Sequence, residues 1–487
     1  MPPASLSARR IGLLFCVLIL MAGGTANAQH RQESEEDHSE SRYSDEPIPL
    51  ADLPERPRPI LELGEPFLGT GTLKQGVRLP TGAVWQPALM AFGTLRSAVQ
   101  GFNAGVGDQE VSLTEAAFRF DLFGNLYLTS TERVIIGFRP LDQGGRFTRY
   151  TLDTNLELGE EDFEDEFNFG LRTLFFEGDL GELFPAADWK DSKGLDIGIS
   201  VGRQPLSFQD GLMLNEDAID MVGLTKANMK FSGLVNMRAT LIFGWGDIDR
   251  TVSPNFFTSG GGNTGDASAM LFGLFTETDT RKRTVEADLA VVMADEIGGD
   301  GAYAGLGSTR RFGRFGNVWR AVASATIGDE GLHTGNGVLL TEQLSWTPHH
   351  THNFAYISGF VGLGEYRSAA RGPSSGGPLG GAGLLFASVG LGRFGAPLGN
   401  QSDYSVGGSV GYQMFFRETR HQLILEVGGR SQYDDTQGVP QVDAYGGTAR
   451  YQIALRRRGV LVIDGLAVST TEGDVTTAAR LELVLKL

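Results

Sequence analysis

Cysteine is almost missing. The single one among 487 residues, Cys16, sits in an N-terminal apolar run, so the rest of the chain can build neither a disulfide framework nor a thiolate metal site. Long hydrophobic runs are missing as well: past Ala22 no stretch of 18 consecutive apolar residues occurs, which excludes a membrane-crossing helix. Positive charge is in deficit, with 41 Lys and Arg against 59 Asp and Glu and a formal charge of −18. That balance is wrong for displacing counterions from nucleic acid. Glycine is plentiful instead, 68 of 487 residues, about twice the usual share of roughly 7%.

The N-terminus divides by composition. Residues 1–28 have the pattern of a secretory signal peptide: Arg9 and Arg10, the apolar run from Ile11 to Ala22, then Ala26-Asn27-Ala28. Cleavage near Ala28 is expected, leaving 487 less 28, or 459 residues, with a charge of −20 after the loss of the two arginines. Residues 29–59 are rich in Glu, Asp and Ser and then in Pro, too polar to build a core, and are expected to be a disordered periplasmic leader. Residues 60–89 hold Phe67, Trp85 and several glycines; an ordered periplasmic segment and an inward-folded plug both suit them. Residues 90–487 are expected to form a single domain.

Alternation dominates that domain. At the C-terminus Ala479, Leu481, Leu483, Leu485 and Leu487 share one face, with Arg480, Glu482 and Lys486 on the other, the period of two that marks a strand. The pattern recurs with Phe118, Phe120 and Leu122 against Arg119 and Asp121, with Val285 to Met293 against Glu286 and Asp288, and over Tyr404 to Phe416. Such segments run about 8 to 14 residues, near the 9 to 11 of a tilted transmembrane strand and longer than the usual 5 or 6 of a soluble sheet. Aromatics close several of them, among them Trp245, Trp346, Tyr404 and Phe416, as in a girdle at a membrane interface. Some links are tight, as at Glu418-Thr419, and others long and polar, as over 142–168, 247–267 and 367–402. The expected fold is all-β: a transmembrane antiparallel β-barrel of 16–18 strands in an outer membrane, touching lipid and lipopolysaccharide.

A charged inner face implies a wet bore. Strand parity and flanking position nominate Arg119, Asp121, Arg133, Arg139, Asp196, Gln204, Arg238, Glu286, Asp288, Gln413, Arg480 and Glu482 as pore-lining. Rows of opposite charge would select solutes by size and polarity. Arg203 joins them only if a bulge near Gly202 turns it inward; otherwise it stays with Val201 on the lipid side and must reach an interface.

The segment from Val201 to Gly211, Val-Gly-Arg-Gln-Pro-Leu-Ser-Phe-Gln-Asp-Gly, resembles the "GRQ…sf.dG" stretch of alginate-export-type outer-membrane porins. That resemblance implies a large barrel passing polysaccharides or small hydrophilic solutes. Family members that export alginate have a strongly cationic pore, whereas the nominated residues here are of mixed sign and the chain is acidic. Passive passage of small hydrophilic solutes or saccharides is therefore the expected function, with alginate-type export and a barrel hydrolase using His421 as alternatives. No cofactor is indicated. His349-His350-Thr351-His352 falls in an expected turn without acidic neighbours, so no metal site is assigned. The seven carboxylates of 157–166 would make a solvated outer loop or collect divalent cations. Apolar residues 382–391 fit either a constriction loop or one more strand.

Overall fold

The computed structural model describes residues 58–64, 76–106, 109–129, 131–155, 163–185, 187, 195–250, 266–294, 298–328, 331, 333–391, 393–434 and 443–487. The expected signal peptide, nearly all of the expected acidic leader, Phe67 and residues 157–162 lie outside them.

Eighteen strands make the wall: β1 (Ala88–Val106), β2 (Gln109–Tyr127), β3 (Arg133–Phe138), β4 (Leu171–Asp179), β5 (Ile197–Phe208), β6 (Leu214–Met229), β7 (Asn236–Ile248), β8 (Asp266–Asp279) and β9 (Thr284–Met293); then β10 (Gly301–Phe312), β11 (Phe315–Thr326), β12 (Gly337–Trp346), β13 (Phe354–Gly364), β14 (Ser405–Phe416), β15 (His421–Gln432), β16 (Ala444–Leu455), β17 (Gly459–Thr470) and β18 (Val475–Lys486). Each pairs antiparallel with its neighbours in sequence. β18 returns to β1 in the register Leu481 to Val99 and Glu482 to Ala98. The ring is closed, so every wall strand has a partner on both sides, which is what hydrocarbon demands of a backbone. Among the described residues no helix is long and apolar enough to cross a membrane.

The two faces have opposite chemistry. On β18 Leu481 is 49% exposed while Arg480 and Glu482 are 4% and 1% exposed; on β9 Leu289 is 60% exposed beside Asp288 at 4%. Leu425 and Val427 of β15 likewise point out and bracket a buried Glu426. Oily side chains outside and charges inside make the wall of a transmembrane barrel.

Links at one end are short, as at 280–283, 313–314, 417–420 and 456–458; the strand ends separated by the longer intervals 139–170, 249–265 and 365–404 are at the other. Both ends of the barrel wall are at the short-turn rim, where Gly93 and Leu487 exchange backbone hydrogen bonds of 3.1 and 2.8 Å. Where β18 stops, residues Leu61–Leu63 take up the pairing with β1 opposite Leu89 to Ala91. Val77–Arg78 and Val84–Trp85 form a separate two-stranded ribbon.

Candidate functional site

A ring of eighteen strands is too wide for wall side chains to fill. Part of the interior is filled by residues 365–404, which leave the wall after β13 and fold into the barrel as a strap. The apolar segment 382–391 is not a strand: a 3-10 turn, Pro378–Ala382, leads into irregular chain. Leu379, Leu385 and Phe386 of the strap are buried against inward side chains of β6 to β13, including Ile219, Met221, Val322, Leu339 and Phe360. Phe360 and Phe386 meet edge to face at 5.3 Å.

Beyond that apolar footing the strap reaches a polar wall. Glu426 of β15 accepts from the backbone N–H groups of Leu384 and Leu385, both at 2.9 Å, and from the Tyr356 hydroxyl. Arg480 of β18 donates to the Val389 carbonyl at 2.5 Å, Gln100 of β1 donates to the Leu391 carbonyl, and Glu115 of β2 accepts from Arg393 N–H at 2.8 Å. The root of the strap pairs in parallel with the start of β6, Leu214 beside Ala370 and Asn215 beside Arg371. Arg371 donates to the Gly211 carbonyl and, at 3.1 Å, to Ser368 Oγ. Complete burial pulls its guanidinium down to about 10.

The segment Val201 to Gly211 supplies a second inward element. A Cβ at Gly202, whose φ is +125°, would run into the Leu174 carbonyl, so only glycine fits. Gln209, Asp210 and Gly211 are all left-handed, and this tight turn folds inward against the neighbouring wall: Gln209 donates to Asp288 of β9 at 2.7 Å, and Asp210 lies 2.8 Å from Arg320 of β11.

The charged residues nominated from parity fall almost entirely into ion pairs. Arg119 and Arg139 share Asp121 at 2.8 Å each, and Arg139 also meets Asp142 at 3.1 Å and Asp217 at 2.8 Å. Arg133 pairs with Glu177, Arg238 with Glu277 at 2.7 Å and Glu286 with Arg320 at 2.9 Å. Across four adjacent strands runs an alternating row: Arg450, Asp464, Arg480, Glu482, Arg96, with separations of 2.5 to 2.7 Å. Gln204 bonds Ser200 at 2.9 Å. Gln413 shares the inner parity of the buried Ser409. Asp196 lies just before β5, its carbonyl accepting from Lys226.

Arg203 is placed differently from the bore set. The irregularity in β5 falls between Gln204 and Leu206, past Arg203, which therefore keeps the outward parity of Val201. It pairs at 2.7 Å with Asp220, itself opposite Trp245, an ion pair level with an interfacial ring rather than a pore-lining group.

Several partners escaped the nomination. Glu426 and Asp464 sit inside strands whose alternation was plain, and the same parity places them inward. Glu115, Asp217 and Gln100 gain their importance only from the strap and loops that fold against them. Glu164, in the acidic run, is bonded by Arg149 and Arg393, so that part of the run belongs to the interior network. Among the described residues Glu216, Asp217 and Asp249 bring carboxylate oxygens within 4.8 Å of one another, but Arg139 and Arg172 already hold Asp217. His421 is on the outer wall, its Nδ1 2.6 Å from the Tyr451 hydroxyl and its ring 5.4 Å from Phe416, the surroundings of a belt residue.

No family model matches the sequence, and no curated protein does either. Solved structures do match. OpdQ of Pseudomonas aeruginosa superposes with a TM-score of 0.52 at 10% identity, over 82% of this chain and 97% of that one. OccK11 (OpdR) of the same organism gives 0.51 at 12%, over 82% and 96%, and a BenF-like porin from Pseudomonas fluorescens Pf-5 gives 0.51 at 11%, over 82% and 99%. The fold is a porin fold. Identity this low speaks for the porin architecture and for nothing finer; the chemistry of the bore has to come from its own side chains.

Proposed function

We propose that the protein is an outer-membrane channel for passive diffusion of small hydrophilic solutes, saccharides included, and not an enzyme. The observation that carries this is the closed ring of eighteen strands whose polar inner wall is crossed by a strap: a bore wide enough for water, narrowed from inside. Arg119, Asp121, Arg133, Arg139, Gln204, Arg238, Glu286, Asp288, Gln413, Arg480 and Glu482 are its lining, with the signal peptide directing the chain to the outer membrane and the long loops facing the lipopolysaccharide.

Pairing decides the solute class. A cation held beside a carboxylate presents a local dipole and little net potential, so the wall sorts by polarity and size more than by charge. This supports neutral polar solutes over the polyanion export that the resemblance of 201–211 implies, because a polyuronate would call for arginines free of carboxylates. Swelling of liposomes containing the protein tests it: rates should fall steadily from small to larger uncharged sugars. Equal impermeability to all of them would overturn the proposal.

A further inference from the structure

The arginines and lysines of this acidic chain are not spread evenly over the barrel. At the short-turn rim, between β8 and β17, residues 281–283 and 456–458 are all basic, and Arg310, Arg311, Arg314, Arg417 and Arg420 belong to the hairpins between them. All of these side chains are exposed. Asp279 and Glu418 are the acidic residues at the turns of the same hairpins, with Glu342 a little higher on the wall bonded to Asn317 at 3.0 Å. Because β8 to β17 are consecutive in the wall, these basic turns occupy four of the five successive turns along about half of the rim, the fifth, 347–353, carrying His349, His350 and His352 in place of Lys or Arg.

Aromatic rings lie immediately above them on the outer face. Phe312 and Phe315 stack at 5.7 Å, with Trp346 6.4 Å farther along. Phe416 stacks with Tyr451 at 6.1 Å. Arg310 sits over the Phe312 ring at 5.7 Å and Arg314 over Phe315 at 5.5 Å, so these two guanidinium groups are held against the outer wall at girdle height. They do not face the bore. Rings of this kind mark the depth of lipid headgroups, and a cation fixed at that depth meets the headgroup phosphates before any soluble partner.

We propose that this collar is a binding surface for anionic phospholipid headgroups of the leaflet surrounding the short turns, fixing the depth and the lipid shell of one half of the barrel. It rests on the barrel spanning a membrane, but not on what the bore conducts. Charge complementarity chooses the occupant: the collar is a concentrated positive sector on a chain of net charge −18, and each basic group at an anionic surface changes partitioning by about fivefold.

The test uses the purified full chain, exchanged against an equimolar mixture of phosphatidylglycerol and phosphatidylcholine with identical acyl chains, and retained lipids weighed by native mass spectrometry. Phosphatidylglycerol should be retained over phosphatidylcholine by at least about fivefold. The preference should fall at least about fivefold in R310Q/R314Q/R417Q/R420Q, which leaves the basic turns 281–283 and 456–458 in place, and persist undiminished in the corresponding lysine variant, with single-channel conductance unchanged in both, which keeps this test separate from that of the channel. Equal retention by the wild type, a preference unchanged by the glutamine substitutions, or one reduced as much in the lysine variant would overturn the proposal.

Discussion

Single residues set the electrical character of the bore. Asp464 is shared by Arg450 at 2.7 Å and Arg480 at 2.5 Å, and it is 5% exposed. Asp464→Asn leaves the buried Arg480 and the partly buried Arg450 with one carboxylate fewer, a loss of about 3 to 5 kcal/mol for breaking the buried Arg480 pair. The reversal potential in a potassium chloride gradient should move toward anion selectivity, while an unchanged potential would place the row out of the ion path. Gly202 is a backbone requirement of another kind. Gly202→Ala forces a Cβ into the Leu174 carbonyl at a left-handed φ and should cost about 1 to 3 kcal/mol, seen as a lower temperature for the heat-dependent mobility shift of the folded barrel on gels.

At the level of elements, β14 and β9 could be read directly, because Tyr404 to Phe416 and Val285 to Met293 alternate between a lipid face and a wet face with sharp contrast. β6 could not. Its inward Ile219 and Met221 meet the apolar side of the strap, and its outward Asp220 is held by Arg203, so the oily side is partly reversed and the pattern blurs. β10 lacks contrast, since Gly305 and Gly307 point into the bore beside the Gln209 turn. The strap was the least legible part: Ala382 to Leu391 is apolar like a strand, and only the carboxylate of Glu426 and the carboxamide of Gln100 on the distant wall decide that it crosses the bore. Its amides should behave accordingly. In hydrogen exchange, the peptide covering 384–393 should be protected like a wall strand, because Leu384, Leu385, Leu391 and Arg393 donate to wall side chains; exchange as fast as that of the exposed turn 417–420 would mean that the strap is not seated.

Taken whole, the molecule combines one rigid requirement with two adjustable ones. Closure of β18 on β1 removes both sheet edges and makes eighteen strands a single wall; what fills that wall, and what charges meet across it, is left to the loops. The central claim is that water and small solutes pass beside the strap. Planar-bilayer recordings of the purified protein, and of a variant with 378–396 replaced by a short Gly-Ser linker, test it most directly. The account predicts discrete steps of unit conductance from the wild type and larger steps from the variant. Silence from both, or equal conductance in the two, would contradict it.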